Sequence, residues 1–221
     1  MHTKSGELWP ALLEKAFAKI HGSYARVTGG NEHLANYVLY GTCGYILYKD
    51  THDQEKMTAH LLNSYRRGCV MATATPEKTS MGLVGGHAYT VNYVMPVNTG
   101  SEEVTLIQVR NPWSHGEWQG AWSDKDPRWT PALKQQLGVV DKDDGTFWIC
   151  AEDFYKYFVS FTFSMPPDLK QENHNRFMVR HEVDPTENAF QPLFYRFTVP
   201  QDVDCASALL AVNAHTQGPR Y

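Results

Sequence analysis

"GLVGGHAYTV" at residues 82–91 and "QVRNPWSHGEW" at residues 108–118 decide how this chain is read. The first sets His87 behind a glycine pair at the head of a strand-like run. The second closes another such run on Asn111, Pro112 and Trp113. Between them "PVNTGSEE" holds the turn residues of an antiparallel hairpin, so strands are expected over roughly 86–95 and 104–111. Facing residues in such a pair have numbers of constant sum. Setting Met95 against Glu103 then puts His87 opposite Asn111, with both side chains on one face. A slip of one residue would send them to opposite faces. If the chain stays extended through Pro112, alternation also brings Trp113 to the face of Asn111.

That juxtaposition has a chemistry. A carboxamide oxygen beside an imidazole N–H fixes the ring's tautomer and orientation, which is the task of the third group in a Cys-His-Asn arrangement. An indole laid over the bond excludes water and strengthens it. The plainer reading of the same residues is a half-buried strand histidine with its polar atoms satisfied.

The rest of the chain bounds the problem. At 221 residues with 42% hydrophobic content it is long enough to bury a core. The formal net charge is −4, and no Lys/Arg-rich run is present, so a nucleic-acid partner is not expected. No apolar run is long enough for a transmembrane segment, and the N-terminus has no apolar signal-like stretch. Cys43, Cys69, Cys150 and Cys205 stand far apart without a C-x-x-C pair. Scattered cysteines of this kind fit an intracellular, cytoplasmic setting better than a disulfide framework.

Along the chain, Trp9, Leu12, Leu13, Ala16, Phe17 and Ile20 recur at helical spacing, and "HGSYARVTGGNEHL" after them reads as a loop. "NYVLYGTCGYILYKD" reads as two short apolar runs about a glycine turn. Thr51 with Gln54 forms a capping-box pattern for a helix carrying Met57, Leu61, Leu62 and Tyr65 and ended by Gly68. "CVMATAT" and "GTFWI", the latter introduced by the turn pair Asp144-Gly145, are expected strands. "AEDFYKYF" fits one or two helical turns, and "FVSFTFSM" alternates as a half-buried strand. "MPPDLKQENHN" reads as a linker, with the strand-like runs "RFMVRHEV", "PLFYRFTV" and "ASALLAVN" beyond it.

On these residues a resemblance can be stated. "GLVGGHAYTV" and "LIQVRNPWSHGEWQGAWSD" resemble the histidine and asparagine segments of the calpain cysteine proteases. "ELWPALLEKAFAKIHGSY" and "DDGTFWICAEDFYKYF" resemble the blocks on either side. The resemblance implies an α+β fold over residues 1–165: a papain-like second subdomain, with an antiparallel barrel-like sheet and flanking helices. Residues 166–221 would begin an all-β sandwich, cut short. It implies His87 as general base, Asn111 as its orienter and Trp113 as the shielding indole of an intracellular endopeptidase acting on polypeptides. The family's nucleophile segment, a glutamine and Gly-Asp-Cys-Trp, does not occur here. Without a thiolate there is no acyl-enzyme. The expected partner is therefore the missing cysteine-bearing subdomain, and this chain alone is expected to be inactive. A different class of reading, a non-catalytic calpain-like interaction or scaffold module, stands beside it. Cys43 in "YGTCGYI" is not expected to act as nucleophile, since a glycine turn between apolar runs is not the helix N-terminus such a thiol needs. Cys69, Cys150 and Cys205 are expected to be buried fillers.

Calcium is the one ion the resemblance raises, through Glu117, Asp124 and Asp144. Thr146 stands where a further carboxylate would be expected, and Lys142 adds a positive charge. Ca²⁺ takes six to eight oxygen ligands, so no metal is assigned.

Overall fold

Six strands form one antiparallel sheet in the computed structural model, which describes residues 6–165. They are β1 (Gly44–Tyr48), β2 (Val70–Ala74), β3 (Ala88–Asn98), β4 (Glu103–Arg110), β5 (Thr146–Cys150) and β6 (Ser160–Ser164). Their order is β1-β6-β2-β3-β4-β5, so the ladder is open, with β1 and β5 as edges among the described residues. Five α-helices accompany it: α1 (Trp9–Ile20), α2 (Glu32–Tyr40), α3 (Gln54–Arg66), α4 (Pro131–Leu137) and α5 (Ala151–Tyr157). The fold is α+β. No helix among the described residues is long and apolar enough to cross a membrane.

Strand alternation divides the core in two. Tyr89, Val91, Val94, Ile107, Val109, Phe147 and Ile149 point to one face, where Met57 and Leu61 of α3 and Phe154 of α5 cover them. Leu106, Val97 and Trp148 point to the other, under Leu133 of α4 and the indoles of Trp122 and Trp129.

The β3–β4 register differs from the expected one. Beyond the turn, Met95 faces Leu106 and Asn98 faces Glu103, a shift of three residues from the assumed pairing. An odd shift alone would have placed His87 and Asn111 on opposite faces. A β-bulge between Val91 and Tyr93 inserts one residue, after which Val91 faces Val109 and Thr90 faces Arg110. The bulge restores the parity, so Val91 and Val94 can both enter the core. Pro96 sits in the outer half of β3, where β4 is the only paired neighbour among the described residues, so its missing N–H leaves no gap in a second described ladder.

Other expectations shift with the helices. The expected loop and the first of the two apolar runs contain α2, ended by Gly41 in the left-handed conformation, with β1 following it. A short apolar run ending in Val-Leu-Tyr does not by itself separate helix from strand. This helix changes β6 as well. Asn36 Nδ2 donates to Ser164 Oγ at 3.0 Å, and Thr162 donates to Glu32 Oε2 at 3.0 Å. Residues 161–164 of β6 are therefore all buried, instead of alternating between core and water. The N-cap of α3 is Asp53, whose carboxylate accepts from Lys56 N at 2.8 Å, while Thr51 lies in a preceding 3-10 turn. Helix α4 was not anticipated, although Thr130 as N-cap, Pro131 at its start and Gly138 after its end spell it out.

Helix α1 has the expected stripe, yet Ala18 is its only buried residue. Trp9, Leu12 and Ile20 are 62%, 64% and 71% exposed. The expected linker and strand-like runs beyond residue 165, Cys205 among them, lie outside the described residues.

Candidate active site

His87 immediately precedes β3, opposite Thr75 just past the end of β2. Its backbone N–H donates to Thr75 Oγ1 at 3.1 Å, and its carbonyl accepts Thr75 N–H at 3.0 Å. The glycine pair before it is a matter of space. A Cβ on Gly85 would lie 2.2 Å from Glu77 O, and Gly86 adopts φ +59. Tyr89 packs edge-on against the imidazole at 4.9 Å, with its hydroxyl accepting Val84 N–H at 2.8 Å. Thr75 and Tyr89 were not anticipated. The threonine just before Pro76 had no local pattern to mark it, because its partners are nine and twelve residues away.

Asn111 follows β4 and is fully buried. Its Oδ1 accepts from His87 Nε2 at 2.9 Å and from Trp113 N–H at 3.0 Å. Its Nδ2 donates to His115 O at 2.8 Å and to Gly116 O at 3.3 Å. Two donors on one side and two carbonyls on the other fix the amide orientation. His87 must then carry its proton on Nε2, so Nδ1 holds the free lone pair. Among the described residues no group bonds that nitrogen.

Trp113 reaches the histidine by a turn and not by strand alternation. Ser114 N–H donates to Asn111 O at 3.0 Å, closing a turn with Pro112 at its second position, and Asn111 Oδ1 caps it. The chain therefore does not stay extended through Pro112. The indole lies 4.3 Å from the His87 ring, centroid to centroid, and remains 53% exposed.

The three acids considered for calcium are engaged with the protein. Glu117 Oε1 accepts Asp144 N–H at 2.8 Å and Gly145 N–H at 2.7 Å. Asp144 Oδ1 accepts Thr146 N–H at 3.0 Å, and Asp124 Oδ2 accepts Lys142 N–H at 3.4 Å. Burial pushes the Glu117 carboxyl up, against the lowering effect of those two N–H donors. Burial first and then Glu117 push Asp124 up to about 6. No three His, Cys, Asp or Glu side chains among the described residues are grouped to hold a metal ion. One oxygen of each carboxylate is thus turned to a backbone donor, and no calcium site is assigned.

None of the described thiols meets the imidazole. Cys43 precedes Gly44, which pairs with Ser164 beside Val70, whereas His87 adjoins Ala88, paired with Ala74. Cys43 and His87 are each one residue further out, so about 20 Å along the strands and about 14 Å across three strand spacings separate them. Cys69 is buried, and burial pushes its thiol up, away from the thiolate a nucleophile needs. Cys150 is only half-buried, a departure from the expected filler: it lies on an edge strand, and its Sγ donates to Asp153 Oδ2 at 3.5 Å. Burial pushes this thiol up as well.

A model of the calpain family cysteine proteases matches residues 1–165. The chain belongs to the calpain family. Calpain-9 of Rattus norvegicus is 36% identical over 179 residues, covering 76% of this chain and 26% of the relative. Calpain-12 of Homo sapiens is 39% identical over 158 residues, covering 69% of this chain and 22% of the relative. A calpain-type cysteine protease of Zea mays is 33% identical over 188 residues, 78% of this chain but 8% of the relative. This calpain chain thus spans about a quarter or less of the length of these relatives.

Proposed function

We propose that the chain is the base-bearing part of an intracellular, calpain-like cysteine endopeptidase that cleaves polypeptides, and that it is inactive without a cysteine-bearing half. Residues 1–165 form its papain-like second subdomain in this reading, and residues 166–221 begin the β-sandwich domain. The observation that carries the proposal is the His87–Asn111 bond. It leaves Nδ1 as the only basic position on the ring, beneath a half-exposed indole. The three described cysteines are in no disulfide, which fits an intracellular setting.

In the assembled site the thiol of the cysteine half passes its proton to His87 Nδ1. The thiolate adds to the scissile carbonyl, and the C–N bond breaks as the imidazolium gives that proton to the leaving amine. Water, giving a proton to the same Nδ1, then adds to the thioester carbonyl; the C–S bond breaks, releasing the acid, and the imidazolium returns that proton to the thiolate. Asn111 holds the ring in place throughout. The exposed stripe of α1 supports a partner of this kind: Trp9, Leu12, Leu13 and Ile20 form an apolar face on a chain much shorter than its relatives.

A fluorogenic peptide assay tests the proposal. The purified chain should show no thiol-dependent turnover, with or without calcium. Co-expression with a cysteine-bearing calpain half should produce turnover that His87→Ala abolishes. Turnover unaffected by His87→Ala would leave the interaction-module reading in its place.

A further inference from the structure

We infer that Glu117 is a positioning residue for the His87–Asn111 pair, acting through the turn at residues 143–145. The inference rests on the proposed role of that pair. Two loops distant in sequence, 111–117 and 143–145, hold each other by a closed set of bonds. Glu117 Oε1 takes the N–H groups of both Asp144 and Gly145, at 2.8 and 2.7 Å. Successive N–H groups aimed at one oxygen make a small anion-binding concavity, which a carboxylate fills better than water does. The turn so held returns a bond to the site: Gly145 O accepts Asn111 N–H at 2.7 Å. Asp143 Oδ1 adds a second return bond, from Gly116 N–H at 2.9 Å. Gly116 O and His115 O in turn receive the Asn111 amide.

The fit is close. Gly145 has φ +85, and a Cβ there would lie 2.8 Å from Asn111 O, 2.9 Å from Ser114 Cα and 3.0 Å from His115 N. The turn therefore rests directly on the loop that carries the asparagine, and it cannot shift without moving Asn111. Asn111 lies past the end of β4 at Arg110, so its main-chain N–H is held by Gly145 O and not by a strand partner. Loss of Glu117 frees two N–H groups of the turn, and the disturbance reaches His87 through a single intervening residue.

The test separates this lock from a metal ligand and from a general structural part. Glu117→Gln keeps a side-chain oxygen for the two N–H groups but loses the charge a cation would need. Glu117→Ala loses both. In the isolated chain, hydrogen exchange of the Asn111 and Gly145 amides should rise about tenfold in Glu117→Ala, with Ile107 in the core unchanged. The His87 Nε2–H resonance should broaden or vanish, and Glu117→Gln should restore both signals. In the reconstituted protease Glu117→Ala should lower kcat about tenfold with KM little changed. An unaltered His87 Nε2–H signal in Glu117→Ala overturns the inference, as does a Gln variant no better than Ala. These readouts do not depend on catalysis. If instead His87→Ala leaves turnover intact, it is the functional reading of the site that fails.

Discussion

The histidine end of the sheet and the N-terminal helix α1 are finished to very different degrees. At the first, a fully buried asparagine has every polar atom bonded, and a tyrosine, a threonine and a turn hold its histidine partner. At the second, most of an amphipathic face lies in water. One end is completed by bonds within the chain. The other has the composition of a core face with nothing described to cover it. Under the proposed function, the chain is pre-organised at its site and lacks a cover at its boundary.

The largest effect that could break this contrast is loss of the base. His87→Ala should lower kcat/KM of the reconstituted protease by about 10³-fold or more, because no other group in the constellation can move the proton. Steady-state peptide hydrolysis reads it directly. Asn111→Ala should cost less, roughly 10- to 100-fold, since the imidazole remains but loses its orientation. It should also lower stability by about 2 kcal/mol in urea melts of the isolated chain, because the buried groups that Asn111 satisfied lose their partner. Retention of full activity in this variant would mean that the finished end is finished for packing only.

A third effect sharpens what lies behind the site. The Asp124 carboxyl, 8% exposed, is pushed up to about 6 by burial and by Glu117. A carboxyl with a raised folded pKa binds its proton more tightly in the folded state. Its ionisation therefore costs stability, which falls as pH rises from about 4 to about 6 and stays lower above that. Asp124→Asn keeps an oxygen for Lys142 N–H and cannot ionise. It should stabilise the chain at pH 7, on the order of 2 kcal/mol, and leave stability at pH 4 unchanged. Urea melts at the two pH values check this, and equal shifts at both would remove burial as the cause.

The smallest effect belongs to the unfinished end. Leu12→Ser removes a side chain that is 64% exposed, so the stability of the isolated chain should change by less than about 0.5 kcal/mol. The same substitution should weaken association with a cysteine-bearing half, measured by titration calorimetry. A large loss of stability in the isolated chain would show that the stripe is already buried and that the contrast between the two ends is false.

The sequence by itself determined the chemistry available and the local elements that carry it. Turn residues about 99–102 declared the hairpin, spacing placed α1 and α3, and the calpain-like blocks singled out a histidine, an asparagine and a tryptophan. Only the tertiary structure decided how those side chains meet. The hairpin register was off by an odd number of residues until the bulge beside Asn92 corrected it, and nothing in "TVNYV" announces an extra residue. Trp113 arrives through a turn capped by the asparagine itself. Helix α2 became visible only where it covers the polar face of β6, some 128 residues away. Glu117 and the turn it holds are separated by 27 and 28 residues. Periodicity records which face a residue prefers within its own element. Hydrogen bonds between distant loops leave no such period, because their geometry exists only after the sheet has brought the loops together.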